Sequence, residues 1–224
     1  MPPDEAPQLT EHPADDLDAA SLGPCAELAA LHAADRAEHA AVPPVETPAY
    51  AALRARDRVR RARAVTALER LRALGVVPPA ALYHAAWLLN HGETPEDASR
   101  AHALAREAAE AGYAPARWLA AAAYDRACMY AGRPQRYGTQ FVPDGMRYRL
   151  WDVEPATSDA ERAAWDVPAL AEQHARAEAM TRAEPQPPMD GAPAWLKDAV
   201  ARWRAAEAEG DRVRALHPPS PPFP

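Results

Sequence analysis

From Pro24 onward, apolar side chains recur every three or four positions, which is the period of a helix with one buried face. The period predicts helices over 24–41, 48–74, 79–91, 95–111, 115–131, 168–182 and 193–209. Local punctuation agrees with it. Thr94-Pro95-Glu96-Asp97 offers an N-cap, a first-turn proline and two acids for the positive end of the helix dipole. Gly75, Gly92, Gly112 and Gly132 each follow a periodic run, where a left-handed residue is expected to end a helix. Between Tyr137 and Val153 the period gives way to alternation around Pro143-Asp144-Gly145, the mark of one short antiparallel hairpin. A two-stranded hairpin is marginal alone, so it is expected to lie on helices. Trp195, Leu196, Ala199, Trp203 and Ala206 give the last helix a stripe for docking. The expected fold is mainly α, a helical-hairpin bundle with one β-hairpin over about 137–153. It spans residues 23–215, between a flexible acidic tail over 1–22 and a Pro-rich tail over 216–224.

Composition narrows this further. The chain has 224 residues, enough for one domain with a sizeable core. Roughly a quarter of them are Ala, and Phe occurs only at Phe141 and Phe223, so a large sheet core is excluded. No apolar run approaches the roughly 18 residues of a membrane span, and the acidic start has no signal-peptide core. Cys25 and Cys128 are too few for a disulfide framework, and a cytoplasmic location is expected. The net charge of −7 argues against nucleic-acid binding. Charge is unevenly spread: residues 1–46 carry ten acids against Arg36, whereas residues 54–72 carry eight arginines against Asp57 and Glu69. The economical reading is that the acidic segment packs near the basic helix and cancels its field.

Neither a phosphate-binding glycine loop, a Gly-x-Ser-x-Gly elbow nor a His-Glu-x-x-His zinc helix is present, and no metal or cofactor is called for. His32, Asp35, Arg36 and His39 share a helical face, but His32 and His39 lie two turns apart, about 10 Å along the axis. One ion cannot join them without a third element; for His32 a solvated face, with an Asp35–His39 pair on it, is the simpler expectation, while Asp35 and Arg36 stay open. His91 follows Asn90 at a helix C-terminus, a position suited to acid/base work. Asp125 points the way of Trp118, Ala122 and Met129, so it faces inward and needs a partner from another segment. That partner is either an ion-pair cation fixing the hairpin or a ligand held with Gln135 and Gln140.

The run Asp125-Arg126, then Gly132-Arg133-Pro134-Gln135-Arg136-Tyr137-Gly138-Thr139-Gln140, resembles a family of uncharacterised, mainly bacterial proteins. Asp35-Arg36-x-x-His39, Gly75-Val76-Val77-Pro78 and Asn90-His91 resemble its upstream segments, and the similarity runs over roughly 28–182. The resemblance implies recurring polar residues at Asp35, His91, Asp125, Arg126, Gln135, Tyr137 and Gln140, and it supplies no reaction. The middle hairpins, opening at Ala81-Leu82-Tyr83 and Ala116-Arg117-Trp118, also resemble a Sel1-like unit of the tetratricopeptide class.

Two functions remain open at this point. In one, the protein is an enzyme or binder acting on a polar small molecule. His91 and Asp125 would be catalytic there, and Arg126, Gln135, Tyr137, Gln140 and Asp35 would hold the substrate. In the other, it is a non-catalytic Sel1-like interaction module with a protein partner.

Overall fold

The computed structural model describes residues 23–45 and 47–216, with side chains through residue 210. Both predicted tails lie outside the described residues, apart from Leu216 at the end of the last helix. Eight helices and one hairpin follow in order: α1 (Pro24–Glu38), a 3-10 turn (His39–Ala41), α2 (Pro48–Ala73), α3 (Pro79–Asn90), α4 (Pro95–Glu110), α5 (Ala116–Tyr130), β1 (Phe141–Pro143), β2 (Tyr148–Leu150), α6 (Asp159–Ala164), α7 (Leu170–Ala183) and α8 (Ala194–Leu216). The fold is mainly α with one short antiparallel hairpin, as the periodicity predicts.

Proline is abundant in this chain because it starts helices. α1 to α4 each open on Pro, where the missing N–H is no loss. Thr47 and Thr94 cap α2 and α4, accepting from the N–H groups of Tyr50 and Asp97. Alanine is abundant because α3, α4 and α5 pack through it. Ala85, Ala101, Ala105, Ala108, Ala120 and Ala123 are all essentially fully buried among leucines from α1 to α5. α1 packs on α2 and α3, so its inner face looks across at α3. The charge split is resolved across the α1–α2 contact. Glu27 pairs with Arg63 and Arg70, and Glu38 with Arg56 and Arg60.

A second, smaller core holds the hairpin. β1 and β2 pair in the register Phe141↔Leu150, Val142↔Arg149 and Pro143↔Tyr148. Asp144 closes the turn by accepting from the N–H groups of Met146 and Arg147. α7 covers β2, and α8 docks Leu196, Ala199 and Trp203 against Val142 and Trp151. Of the predicted stripe on α8, Trp195 is half-buried and Ala206 is exposed.

Two local expectations need correction. α6 has no counterpart among the predicted helices, being six residues long and too short to show a period. Its signal is the capping box of Ser158 and Glu161. Gly75, Gly112 and Gly132 do adopt positive φ, but Gly92 is not among the positive-φ glycines. It is required by space instead: a Cβ there would lie 2.2 Å from Asp97 Cβ.

Candidate functional site

The predicted polar residues fall into two groups with different chemistry. The first is built around Asp125, near the end of α5 and fully buried. Its Oδ1 accepts from the N–H of Arg136 at 2.8 Å and of Tyr137 at 3.0 Å. Its Oδ2 accepts from the N–H and the hydroxyl of Thr139, at 3.0 and 2.9 Å. Burial pushes this carboxyl up, and the donors from Tyr137, Thr139 and Arg136 pull it back. Gln135, also fully buried, donates to the carbonyls of Gln140 and Trp151 and accepts from the N–H of Gln140. Gln140 in turn donates to the carbonyl of Ala122 on α5. Arg162 of α6 donates to the carbonyl of Tyr137 from the other side. Asp125, Gln135 and Gln140 are thereby occupied in stitching residues 135–140 to α5 and to the hairpin. Asp125 is held by amides and a hydroxyl, and no ion pair to it occurs among the described residues.

The second group lies where α1, α2 and α3 meet. Asp35, near the end of α1, is only 1% exposed and His32 is buried as well, so His32 does not lie on the solvated face expected for it, although Arg36 is exposed. Tyr83, His84 and Trp87 of α3 cover His32: it stacks on His84 with ring centres 4.7 Å apart and meets Trp87 edge-on. Asp35 Oδ2 accepts from Trp87 Nε1 at 2.9 Å, and His91 Nδ1 lies 2.9 Å from the same oxygen. That nitrogen is shielded from solvent, and its contact with Asp35 is close but poorly aligned for a hydrogen bond. His39, in the turn after α1, places Nε2 at 3.8 Å from Asp35 Oδ1 and 3.2 Å from Asp57 Oδ1. The His39 and His91 rings stack at 4.1 Å.

Arginines brace this cluster from behind. Arg54 and Arg60 hold Asp57, and Arg54 and Arg61 both donate to the carbonyl of His91. Arg126 of α5 donates to the carbonyl of Asn90 at 2.9 Å, and it pairs with no carboxylate among the described residues. Burial lowers its pKa. Burial also lowers His91, against the pull of Asp35, and Arg126 adds to the lowering. His32 is pushed down to about 4, first by burial and then by His84 and Arg36, so its ring is neutral at neutral pH. Asp57 has burial working to raise it, but His39 and Arg54 hold it below the usual carboxylate range. Three carboxyl or imidazole atoms of Asp35, His39 and His91 lie within 4.8 Å of one another, a geometry open to a proton relay or a cation.

Of the predicted site residues, Asp35, His91 and Arg126 thus gather at one end of α3, while Asp125, Gln135, Tyr137 and Gln140 gather in the loop after α5. No hydrogen bond, ion pair or ring contact among the described residues links His91 to Asp125. Their neighbours in sequence separate them, since Arg126 turns towards α3 and Asp125 turns towards the loop. Sequence reasoning placed His39 beside Asp35 at i, i+4 but missed Asp57 and Trp87 as parts of the cluster. The His84-x-x-Trp87-x-x-x-His91 spacing carried the signal for Trp87; Asp57 carried none beyond its type. Two grooves of the described surface lie elsewhere, beside Trp151 and Trp195 and between Val42–Val45 and Pro185–Pro188, and include no residue of the cluster. The cluster meets solvent through His39 and His91, whose side chains are 18% and 16% exposed.

No family model matches this chain, and no curated protein or solved structure matches it either. Among the described residues, no helix is long and apolar enough to cross a membrane.

Proposed function

We propose that this protein binds or acts on a polar small molecule at the junction of α1, α2 and α3. His91 serves as the acid/base, Asp35 orients it, and Arg126 supplies positive charge for an anionic or carbonyl group. The observation that carries the reading is the His91–Asp35 pair: a partly exposed imidazole whose shielded Nδ1 lies 2.9 Å from a buried carboxyl. Burying a carboxyl against a titratable imidazole is a weak device for stability alone. The reading takes Asp125, Gln135, Tyr137 and Gln140 out of the substrate contacts and makes them the frame that carries Arg126. It includes a cytoplasmic location and no nucleic-acid partner, in keeping with the net charge of −7.

The test is a thermal-shift screen of polar metabolites against wild type, His91→Ala, Arg126→Gln and the exposed-surface control Arg106→Ala. A ligand present at about 100 times its Kd adds about 2.7 kcal/mol, a shift of several degrees for a domain of this size. The expected result is a shift kept by the control and lost in the two site variants. No stabilising ligand, or one whose shift survives both substitutions, would overturn the reading. The alternative, a Sel1-like interaction module, draws on the buried Ala81, third in α3, and Ala116, first in α5, which both lie in the helix-packing core. It gains if the screen is blank and His91→Ala destabilises the fold strongly.

A further inference from the structure

We infer that Asp35, His39 and His91 form a binding site for one first-row divalent transition-metal ion, zinc foremost. Three separate elements supply the donors: α1, the 3-10 turn that follows it, and the C-terminus of α3. On α1 and its turn alone, His32 and His39 are too far apart to share an ion; α3 is the third element that spacing demanded, and it brings His91 rather than His32 into reach.

The distances suit an ion. Four-coordinate zinc binds nitrogen and oxygen at about 2.0–2.2 Å, which sets neighbouring donor atoms about 3.3 Å apart. Asp35 Oδ2 and His91 Nδ1 are 2.9 Å apart, Asp35 Oδ1 and His39 Nε2 are 3.8 Å apart, and the whole set lies within 4.8 Å. The His39 and His91 rings, stacked at 4.1 Å, must swing out of their stack to aim both lone pairs at the ion. His91 Nδ1 is the second observation: it is shielded and meets the carboxyl at 2.9 Å in a poorly aligned contact. With the imidazole proton on Nε2, Nδ1 and the carboxyl present two lone pairs to one ion. Two imidazoles with one carboxyl favour transition metals over calcium or magnesium.

The surroundings resemble the outer shell of a metal centre. Trp87 Nε1 fixes one oxygen of Asp35, while Asp57, itself held by Arg54 and Arg60, lies 3.2 Å from the same His39 Nε2 that faces the ion and so gives way to it when the ion binds. Three protein donors leave a position open, and the exposed edges of His39 and His91 give access to it. What fills that position rests on the small-molecule reading above, with Arg126 close enough to balance an anionic ligand. The metal site itself stands on its own geometry.

The experiment uses the full chain without a histidine tag, stripped with chelator, titrated with Co2+ and followed by electronic absorption, then displaced with Zn2+. One equivalent of Co2+ is expected, with the strong visible bands of a four- or five-coordinate ion, bleached by Zn2+. Asp35→Asn, His39→Gln and His91→Gln should each weaken binding more than about 100-fold, beyond the range for outer-shell partners, and Trp87→Phe by about tenfold. The exposed His174→Ala should bind as wild type. Because a variant can misfold, the ring nitrogens of wild-type histidines are also followed by NMR on Zn2+ addition, where two rings should shift and the rest hold. A wild type that takes up neither ion overturns the inference, as does binding undiminished by all three ligand substitutions. Repeating the metabolite screen with and without chelator separates the two proposals. A ligand shift indifferent to chelator, with no ion bound, removes the metal and keeps the small molecule. A bound ion with a blank screen does the reverse.

Discussion

The loop cluster around Asp125 and the helix cluster around Asp35 have the same ingredients, a buried carboxyl with polar groups from distant segments, and opposite accounts of their hydrogen bonds. Asp125 is met by backbone N–H groups and one hydroxyl, which have no other use and cannot leave without unfolding residues 136–139. Asp35 is met by Trp87 and two histidines, side chains that rotate, titrate and keep an edge in solvent. The kind of partner, more than burial or the number of segments involved, separates a carboxyl that holds the fold from one available for chemistry.

The largest expected effect falls on the first cluster. Asp125→Asn presents an NH2 donor to amide donors and removes charge-assisted bonds, each worth about 1.5–3 kcal/mol. Unfolding in urea should show a loss of about 3–5 kcal/mol, roughly 10 °C in Tm for a domain of this size. A loss below about 1 kcal/mol would erase the distinction between the clusters. Gly92→Ala comes next. Its Cβ would press on Asp97 Cβ at 2.2 Å, so the start of α4 must move. Overpacking of this kind costs about 1–3 kcal/mol. Because Gly92 follows His91, ligand binding should weaken too although no polar atom is removed. Unchanged melting of Gly92→Ala would show that the α3–α4 turn gives way freely.

The pH dependence of stability is smaller and probes the second cluster. His32 faces His84, Arg36, Asp35 and His91 and is held near pKa 4, against 6.5 unfolded. Above about pH 6.5 both states are neutral there. As pH falls towards 4 the unfolded chain takes the proton while the folded ring refuses it, so stability is lost over that window. The full shift corresponds to at most about 3 kcal/mol, and solvent screening reduces it to about 1–2 kcal/mol. His32→Leu should flatten the wild-type stability profile between those pH values by that amount. Identical profiles would mean that His32 is protonated in the fold.

How far these clusters were legible in the sequence follows from the same physics. Helix periods, proline starts and the hairpin turn are local signals, and most helix boundaries fall within a residue or two of expectation, although α1 gives way to a 3-10 turn after Glu38 and α8 runs seven residues past the expected 209. The inward direction of Asp125 was legible from Trp118, Ala122 and Met129 on its face. Its partners were not, because backbone amides carry no residue identity and the Arg136–Thr139 loop has no period. The meeting of Asp35 with His91 and His39 depends on how α1 crosses α3, a tertiary angle that short periodic segments leave open. Arg126 shows the limit most plainly: one position along α5, about 100° of rotation, sends it to a different cluster from Asp125.

The smallest expected effect is the most discriminating. Asp35→Asn keeps the shape of the side chain and an oxygen to accept from Trp87 Nε1, and it faces mobile imidazoles rather than fixed amides. His39 and His91 can turn or change tautomer to meet the new amide, a freedom that the Asp125 loop lacks. The stability change should therefore stay within about 1 kcal/mol in either direction, since removing a carboxyl kept for function often leaves the fold as stable or more so. The companion measurement is binding, by Co2+ titration and by the metabolite screen, where the same substitution should be severe. Near-wild-type melting with binding lost marks Asp35 as a working carboxyl. If Asp35→Asn instead melts as early as Asp125→Asn, both clusters are structural braces and the contrast between them disappears.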